Sequence, residues 1–378
     1  MAASAGAIRV LIAAGGTGGH LYPGIAIAEE WMRIHPDSKV VFVGTSRGPE
    51  TKAVPRAGFA LETIAARGLP RKPGIGWFTA AYGLAKGLWQ SFRLVVDLKP
   101  HVVVGTGSYV SAPVVLVARL FGIPVILQEQ NSIPGATNRW LNLLANEVHI
   151  NFLESRGYFR RKNNLRVSGN PIRRSLLLQD KSSAYEALNL SPEKRTLFVF
   201  GGSHGATSIN RATEGALDRL KHLTQLQVIW QTGTEDFEAV SKRFQNFPIK
   251  VRVFPYLEAI EKAYAVADVA VCRAGAMTIA ELTACGVASI LVPYPHATRD
   301  HQTHNARGLL DRDAALVIAD KDLSPETLAK AIDSLLRDEQ RLRRLGRNAR
   351  AFARVDAAQR IARSMDQLVA TSPIPRES

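Results

Sequence analysis

The fold is decided by the stretch Val269-Ala-Val-Cys-Arg-Ala-Gly-Ala-Met-Thr-Ile-Ala-Glu281. Its first four residues are apolar and suit a buried strand, whereas Ala274, Gly275 and Ala276 form a small-residue turn before a helical pattern. Such a turn leaves the first helical N–H groups uncovered, so a phosphorylated or polar ligand can approach the positive end of the helix dipole. The stretch therefore predicts a ligand site at a strand-to-helix corner.

Glu281 lies about one and a half turns further along this helix. Its carboxylate can accept two hydrogen bonds, which matches the vicinal hydroxyls of a ribose. An open helix N-terminus followed by a diol acceptor favours a nucleotide as the ligand. For the segment taken alone, the alternative is an ordinary strand-turn-helix with a solvated glutamate.

Outward from this stretch, the chain alternates short β-branched runs with longer helical patterns, which predicts an α/β fold with parallel sheets and crossover helices. The predicted strands are residues 8–14, 39–44, 61–64, 101–105, 124–127 and 147–150 in the first half, and 196–201, 227–231, 251–254, 269–272, 289–292 and 315–318 in the second. Helices are predicted at residues 25–34 and 114–121, with one helical run at 325–355. The stretch Val167-Ser-Gly-Asn-Pro-Ile172 contains residues that break regular structure and is predicted to be the linker.

Both halves open with a glycine-rich corner, Gly15-Gly-Thr-Gly-Gly-His20 and Gly201-Gly-Ser-His-Gly-Ala206. Glycine permits a positive φ and a close approach of ligand to backbone, and Thr17 and Ser203 supply hydroxyls. We expect two sheets, each with a glycine-rich loop, that face each other across a cleft. Neither corner completes Gly-x-Gly-x-x-Gly or continues into Gly-Lys-Ser/Thr, so neither NAD binding nor ATP hydrolysis is expected.

Composition indicates a globular enzyme, because 46% hydrophobic residues among 378 are enough for two cores. The two cysteines, Cys272 and Cys285, form neither a disulfide framework nor a paired-cysteine metal site, which favours a reducing, cytoplasmic compartment. The first residues lack the pattern of a signal peptide, and no apolar run approaches the roughly 20 residues that span a bilayer. We expect a protein that is neither secreted nor integral to a membrane.

The net charge of +15 is concentrated in residues 1–170, which hold 19 lysines and arginines against 9 acidic residues. Much of the excess lies in residues 67–99, where aromatic side chains such as Trp77 and Trp89 are interleaved with Lys86 and Arg93. This mixture favours an anionic membrane surface as a partner. The alternative is a core helix with a solvated cationic face. Nucleic acid is not expected, because no helix-turn-helix, zinc-finger or RNA-binding signature is present.

Seven motifs follow one another in an order typical of one family. They are Gly15-Gly-Thr-Gly-Gly-His-Leu-Tyr-Pro-Gly24, Gly105-Thr-Gly-Ser-Tyr-Val-Ser111, Glu129-Gln-Asn131, Gly169-Asn-Pro-Ile-Arg173, Gly201-Gly-Ser203, Arg273-Ala-Gly-Ala-Met-Thr278 with Glu281, and residues 300–305. Over nearly the whole chain they resemble the MurG family of bacterial GlcNAc transferases, which convert lipid I to lipid II in peptidoglycan synthesis. Two positions depart from the family pattern: Gln128 stands for a histidine and Ser108 for a glycine.

The resemblance implies a GT-B glycosyltransferase, with two Rossmann-like domains facing across a cleft. These are an acceptor and membrane domain at 1–168 and a UDP-sugar domain at 169–354, and a C-terminal helix, 355–378, returns to the first domain. It implies UDP-GlcNAc contacts from Thr17, Gly18, Gly19, Asn131, Arg173, Ser203, Leu257, Ala276, Met277, Thr278, Ile279, Ala280, Glu281 and Gln302. It places Tyr109 and Ser111 on the acceptor side, and it implies no cofactor and no metal. The cluster His296, Asp300, His301 and His304 is accordingly not expected to bind a cation.

The implied reaction is the inverting transfer of GlcNAc from UDP-GlcNAc to the MurNAc 4-hydroxyl of undecaprenyl-pyrophosphoryl-MurNAc-pentapeptide. An inverting transfer needs a proton acceptor, for which His20 is the first candidate and Glu129 the second. For His20 a purely structural hydrogen bond is the alternative.

The resemblance further implies peripheral attachment to the cytoplasmic face of the bacterial inner membrane, with cell-wall synthesis and division proteins as partners. Two other functions stay open. A non-hydrolysing UDP-GlcNAc 2-epimerase has the same two-domain architecture, and a basic nucleic-acid binder would show strongly salt-dependent binding without turnover.

Overall fold

The computed structural model describes residues 7–66, 76–202 and 204–372, with the side chains of residues 76–81 left aside. The chain divides into two compact units. Unit 1 comprises Met1–Arg173 together with Arg354–Ser378, and unit 2 comprises Arg174–Ala353. Each unit is built on its own parallel sheet, so the predicted α/β class with two domains is confirmed.

Unit 1 contains a seven-stranded sheet in the order β3-β2-β1-β4-β5-β6-β7, and all its pairings are parallel. Its strands are β1 (Arg9–Ala13), β2 (Lys39–Gly44), β3 (Ala60–Thr63), β4 (Val102–Gly105), β5 (Val125–Glu129), β6 (Glu147–Ile150) and β7 (Leu165–Val167). Its first helices are α1 (Gly18–Ile34), α2 (Glu50–Arg56), α3 (Gly76–Leu98), α4 (Ser111–Leu120) and α5 (Ala136–Leu141).

Unit 2 contains a six-stranded parallel sheet in the order β10-β9-β8-β11-β12-β13. Its strands are β8 (Arg195–Phe200), β9 (Leu226–Gln231), β10 (Lys250–Phe254), β11 (Val269–Cys272), β12 (Ala288–Leu291) and β13 (Leu316–Val317). Its helices are α6 (Lys181–Ala187), α7 (Thr207–Leu220), α8 (Phe237–Arg243), α9 (Ile260–Val266), α10 (Ala276–Cys285), α11 (His301–Leu310), α12 (Pro325–Arg337) and α13 (Glu339–Phe352). The last helix, α14 (Ala357–Ala370), belongs to unit 1.

Both faces of each sheet are covered, which explains why the central strands are apolar throughout. In β1, Ile12 packs with Trp31 of α1 and Met365 of α14 on one face, while Leu11 packs with Val114 of α4 on the other. In unit 2, one face of β8 joins the apolar cluster with α7 and α12, and Phe198 meets the ring of Tyr264 on the other face at 5.6 Å. These two-sided cores fix where each strand ends and hence where each site loop begins.

All twelve predicted strands are present, with boundaries shifted by no more than about two residues, as is usual for such assignments. The strand β7 is missing from the prediction because it is three residues long and only partly buried. Val167, predicted to open the linker, is the last residue of that strand. Gly169 follows with a φ of +96°, a conformation that glycine tolerates.

The single helical run predicted at residues 325–355 is wrong, because the structure contains two helices that meet at Asp338. Asp338 leaves the helical conformation, with φ −108° and ψ 85°, and its carboxylate accepts a hydrogen bond from the backbone N–H of Arg341. Aspartate favours this N-cap role over a helix interior, so it ends α12 and starts α13.

In the part of the chain that the structure describes, no helix combines the length and the apolarity needed to cross a bilayer.

An acidic side chain connects α14 to the sheet of unit 1. Glu147 opens β6, and its Oε2 lies 3.3 Å from Nε2 of His149, an ion-pair distance with poor hydrogen-bond geometry. The close contact with His149, opposed by burial and assisted by Ser364 of α14 and by Arg166, which donates to Oε1 at 3.2 Å, lowers the pKa of Glu147 to about 2. The ionised form therefore stabilises the fold at neutral pH.

We expect Glu147→Gln to lower the free energy of unfolding of unit 1 by about 2 kcal/mol at pH 7. Since the pKa is lowered on folding, this stabilisation is complete above pH ~4.5 and is lost as the pH falls towards ~2. The difference from wild type should therefore shrink in urea titrations between pH 5 and 3. Glu154→Gln, at an exposed position, is the control, and a pH-independent difference for Glu147→Gln would contradict the assignment.

Candidate active site

The glycine-rich corner of unit 1 follows β1 directly and runs into α1. Thr17 is the N-cap of α1 in an extended conformation, and its hydroxyl makes no capping hydrogen bond. Gly18 and Gly19 form the first turn, whose N–H groups have no partner within the helix. Thr17 and Gly19 are exposed. This end of α1 therefore presents backbone donors and one hydroxyl, a set that suits oxygen atoms of a ligand.

His20 lies in the first turn of α1, and one ring nitrogen is fixed by two oxygen atoms. Its Nδ1 lies 2.9 Å from the carbonyl oxygen of Thr106 and 2.9 Å from Oε1 of Gln130. Because both oxygens are acceptors, Nδ1 carries the proton and donates it. The lone pair of the neutral ring is consequently on Nε2, the tautomer that a proton acceptor requires.

Gln130, which accepts the hydrogen bond from His20, is itself held by buried amide groups. Gln130 donates through Nε2 to the Thr106 carbonyl, at 2.8 Å, and to the side-chain oxygen of Gln128. Gln128 in turn donates to Oδ1 of Asn170 at 2.9 Å. The residue that departs from the family pattern thus belongs to the network that orients His20.

Glu129 is buried and accepts four hydrogen bonds. Its Oε1 accepts from the backbone N–H of Asn131 at 3.0 Å and from Nδ2 of Asn131 at 3.4 Å. Its Oε2 accepts from the N–H of Gly135 at 3.1 Å and from Nδ2 of Asn138 at 2.9 Å. A carboxylate offers about four lone-pair sites, so Glu129 is fully engaged as the anchor of the loop that carries Asn131.

The two residues expected on the acceptor side occupy different environments. Tyr109 is 37% exposed, and its ring packs against Gly16 of the glycine-rich corner. Burial, together with the charge of Glu50, raises the pKa of Tyr109, so its hydroxyl stays protonated. Ser111 is fully buried and donates to the carbonyl oxygen of Ala13 at 3.1 Å, which ties α4 to the end of β1.

Arg173, the last residue of the first part of unit 1, lies over the ring of Tyr22 of α1. The guanidinium carbon is 4.8 Å from the ring centroid, a cation-π geometry. Stacking on Tyr22 restricts the side chain while leaving the planar fork suited to a phosphate or carboxylate.

In unit 2, the corner that decided the fold has the expected form. β11 ends at Cys272, Gly275 is the N-cap of α10 without a side-chain cap, and α10 begins at Ala276. Along α10, Ile279 is fully buried and Met277 nearly so, whereas Thr278 and Ala280 are half-buried. The first turn therefore presents backbone and small side chains. Ser203 lies outside the described residues.

Glu281 is nearly buried and receives a hydrogen bond from a neighbouring phenol. The hydroxyl of Tyr264 in α9 donates to Oε2 of Glu281 at 2.9 Å. Burial, and then the charge of Glu281, raises the pKa of Tyr264 well above its usual value, so the hydroxyl remains a donor. The rings of Phe198 and Phe200 meet Tyr264 edge-on at 5.6 and 5.9 Å and restrict its motion.

Two further corners of unit 2 are linked by Gln231, the last residue of β9. Its Nε2 donates to the carbonyl oxygen of Gly202, and its Oε1 accepts the backbone N–H of Leu257, at 2.8 and 2.9 Å. Gln302 of α11 accepts the N–H of Tyr294 through Oε1 at 2.9 Å. Within the described residues, the amide nitrogen of Gln302 makes no hydrogen bond, which leaves two donors for a ligand oxygen.

Arg273 joins β11 to two other segments. It forms an ion pair with Asp320, donates to the hydroxyl of Ser208 at 2.8 Å, and lies over the ring of Tyr294. The hydrogen bonds from Arg273 and Ser208 lower the pKa of Asp320 against the effect of burial. Arg273 is thus held by three partners, and these contacts fix the start of the corner that contains Gly275.

No group of three or more histidine, cysteine or acidic side chains that could hold a metal ion occurs among residues 7–66, 76–202 and 204–372. In the cluster near residue 300, Nδ1 of His301 bonds the carbonyl oxygen of Thr298 at 2.9 Å, and His304 is exposed.

Sequence reasoning missed Tyr264, Gln231 and Gln130, which orient the named residues without belonging to a ligand motif. Gln130 stands between Glu129 and Asn131 in a quoted motif, and that position was the only available signal. Tyr264 and Gln231 lie in ordinary helix and strand patterns. Their roles depend on partners 17 and 26 residues away, at Glu281 and Leu257.

Two parallel sheets, with small-residue corners that leave helix N-termini open, define the architecture of two-domain nucleotide-sugar enzymes of the GT-B class. The comparisons with known proteins are more specific. Residues 10–150 match the glycosyltransferase family 28 N-terminal domain, and residues 196–361 match the glycosyltransferase family 28 C-terminal domain. The chain therefore belongs to glycosyltransferase family 28.

The chain is 44% identical over 356 residues to a protein of Myxococcus xanthus named UDP-N-acetylglucosamine--N-acetylmuramyl-(pentapeptide) pyrophosphoryl-undecaprenol N-acetylglucosamine transferase, covering 94% of this chain and 91% of that one. The crystal structure of Acinetobacter baumannii MurG superposes with a TM-score of 0.74 at 30% identity, over 95% and 99% of the two chains. The resemblance to the MurG family is thus confirmed.

A UDP-GlcNAc 2-epimerase from Neisseria meningitidis, solved with UDP-GlcNAc bound, also superposes, with a TM-score of 0.71 over 95% of this chain and 100% of that one. At 10% identity this likeness shows the fold alone.

Proposed function

We propose that this protein transfers GlcNAc from UDP-GlcNAc to the MurNAc 4-hydroxyl of undecaprenyl-pyrophosphoryl-MurNAc-pentapeptide, releasing UDP. One observation favours this transfer over the epimerase alternative. The chain is 44% identical, over 94% of its length, to the N-acetylglucosamine transferase of Myxococcus xanthus, but only 10% identical to the epimerase. The open start of α10 and the nearby Glu281 support UDP binding on physical grounds.

The donor role of unit 2 rests on α10. The first-turn N–H groups from Ala276 to Thr278 suit a diphosphate, and the carboxylate of Glu281, held by Tyr264, is the acceptor for the ribose hydroxyls. The backbone carbonyl group near Leu257 binds the uracil edge, because the N–H of Leu257 is already donated to Gln231. The amide nitrogen of Gln302 donates to a sugar hydroxyl or the acetamido oxygen.

Glu281→Ala should weaken UDP binding by roughly 1.5–3 kcal/mol, the usual range for a hydrogen bond to a charged group. The variant should also lose any preference for UDP over an analogue lacking the ribose 2′-hydroxyl. Calorimetric titration measures both quantities. Tyr264→Phe, which keeps the carboxylate, is the matched variant and should weaken UDP binding less. Unchanged UDP affinity in a folded Glu281→Ala protein would remove Glu281 from the nucleotide site.

In the proposed chemistry, the muramyl oxygen attacks C1 of GlcNAc as the bond to the UDP oxygen breaks, and a base takes the hydroxyl proton. We assign the base to Nε2 of His20, because Thr106 and Gln130 hold the proton on Nδ1. Glu129 stays the second candidate, although its four accepted hydrogen bonds favour an anchoring role. The start of α10 stabilises the departing diphosphate.

His20→Asn should lower kcat roughly a hundredfold, the usual contribution of a general base, while UDP affinity stays near that of wild type. Asparagine can keep a hydrogen bond to the Thr106 carbonyl but cannot take a proton, so the variant separates catalysis from structure. The acidic limb of the pH-rate profile should disappear. His35→Asn, at the other end of α1, is the control. Near-wild-type kcat with an unchanged acidic limb would place the base elsewhere.

A membrane-binding role is supported by an exposed apolar surface on α3 and α4. We define the α3–α4 surface as Tyr82, Leu84, Trp89, Phe92, Leu116, Leu120 and Phe121. Trp89 is 58% exposed and Leu120 is 82% exposed. Arg93 lies over the Trp89 ring at 5.1 Å, and Lys86 is exposed on the same helix. Trp77, Phe78 and Arg67 belong to the sequence prediction but lie outside the described side chains.

Large exposed apolar side chains with neighbouring cations suit a peripheral contact with anionic lipid. We therefore propose peripheral attachment to the cytoplasmic face of the bacterial inner membrane. Cell-wall synthesis and division proteins are proposed partners on the resemblance alone.

The protein should float with anionic vesicles and be partly released by salt, because screening weakens attraction between exposed charges and lipid. Phe92→Ser/Leu120→Ser should abolish flotation at all salt concentrations. Leu310→Ser, an exposed leucine of unit 2, is the matched control and should float normally. Equal binding to neutral and anionic vesicles, or none to either, would contradict the membrane proposal.

The transfer itself is tested by incubating the purified protein with labelled UDP-GlcNAc and a lipid I analogue, with and without a chelator. We expect a labelled disaccharide product that depends on the acceptor and not on free divalent cations. Turnover of UDP-GlcNAc without acceptor would support the epimerase instead.

A further inference from the structure

Glu50 is a buried carboxylate that no ligand motif contains. It is the first residue of α2, which follows β2 after a short loop, and its exposed fraction is 0%. It is separated by 30 residues of chain from His20, yet its side chain lies directly beneath the glycine-rich corner at Gly15 and Gly16. Because it is fully buried, Glu50 does not touch a substrate.

Three hydrogen bonds converge on this carboxylate. Oε1 accepts from the backbone N–H and from the hydroxyl of Thr45, each at 2.8 Å. Oε2 accepts from the backbone N–H of Gly16 at 3.1 Å. The carboxylate therefore joins the loop after β2 to the glycine-rich corner after β1. All three partners are donors, and a carboxylate suits them because both of its oxygens accept.

Three glycines make room for the side chain. A Cβ on Gly15 would lie 2.6 Å from Oε1 of Glu50, and one on Gly44 would lie 2.5 Å from its Cγ. A Cβ on Gly48 would collide with Oε2. Close packing of this kind leaves the carboxylate one position, so the corner cannot shift without moving Glu50.

The hydrogen bond between Gly16 and Glu50 fixes the backbone orientation of the glycine-rich corner. Gly16 has a φ of +83°. Its N–H donates to Oε2 of Glu50, and the ring of Tyr109 packs against the same residue. The next residues are Thr17, the N-cap of α1, and the first turn that carries His20. The placement of that turn thus depends on a bond made one residue earlier.

We propose that Glu50 is a positioning residue for the glycine-rich corner, holding the first turn of α1, and with it His20, in the geometry that the transfer step needs. The inference rests on the proposed function, because it is tested by measuring kcat of the transfer. It assigns no contact with donor or acceptor to Glu50. Its effect is on the chemical step, because misplacement of a reacting group by a fraction of an ångström slows reaction far more than it weakens binding.

Glu50→Gln isolates the hydrogen bond. The amide keeps the shape of the side chain, and its oxygen can still serve Thr45, but its NH₂ group then faces the N–H of Gly16, two donors with no acceptor between them. We expect kcat to fall between about tenfold and a hundredfold, with UDP affinity in calorimetry within about twofold of wild type. Gly48→Ala, which displaces the carboxylate while keeping its charge, should give the same pattern.

Val54→Ala is the matched control. Val54 is a fully buried residue of the same helix and belongs to the apolar core, away from the carboxylate. The variant should melt at a lower temperature, as Glu50→Gln does, but keep the wild-type kcat below its melting transition. If Glu50→Gln unfolds at the assay temperature, Gly48→Ala is judged by the same criteria, and loss of folding in both overturns a role confined to positioning.

The outcomes separate the inference from the proposed function. Absence of transfer by the wild-type protein would refute the proposed function itself. An active wild type with unchanged kcat in folded Glu50→Gln would refute the role of Glu50 alone. A fall of kcat in Val54→Ala equal to that in Glu50→Gln would reduce Glu50 to a general stabilising residue.

Discussion

A helix that starts directly after a buried parallel strand must have its first N–H groups satisfied from outside the helix, and this constraint governs both units. Three helices solve it with the side chain of the N-cap residue: Ser324 caps α12 with a complete capping box, Asp180 caps α6 and Asp338 caps α13. At α1 and α10 the N-caps are Thr17 and Gly275, and neither gives a side-chain cap. The first-turn N–H groups of α1 and α10 are therefore not capped by the side chain of the N-cap residue.

Open corners of this kind cannot support themselves, because small residues make few contacts of their own. In each unit the support comes from buried polar side chains with several hydrogen bonds. Glu129 anchors the Asn131 loop, Glu50 anchors the corner at Gly16, and Gln231 joins the loops at Gly202 and Leu257. A buried polar group costs free energy unless its hydrogen bonds are made, so each anchor holds its loop in one arrangement.

The sequence predicted the strands well because burial on both faces demands unbroken apolar runs, which are visible without any structure. It failed at β7, where three partly buried residues give no pattern, and at Asp338, where one capping residue divides a helical run. The named site residues came from the order of motifs. Their supports could not be predicted, because Glu50 and Tyr264 act through partners that only the folded chain brings close.

The corner at Gly16 in unit 1 and the corner at Gly275 in unit 2 differ in the charged side chains that hold them. Beneath Gly16 is the carboxylate of Glu50, which accepts three hydrogen bonds. Burial, together with the charge of Glu50, raises the pKa of Tyr109. Two residues before Gly275 is instead Arg273, whose guanidinium is fixed by Asp320 and Ser208. Because Asp320 pairs with Arg273, this guanidinium adds little net charge at the corner of unit 2. Both corners are therefore held in place by charged side chains of their own unit, and the attraction of α10 for a diphosphate is expected from its helix N-terminus rather than from Arg273.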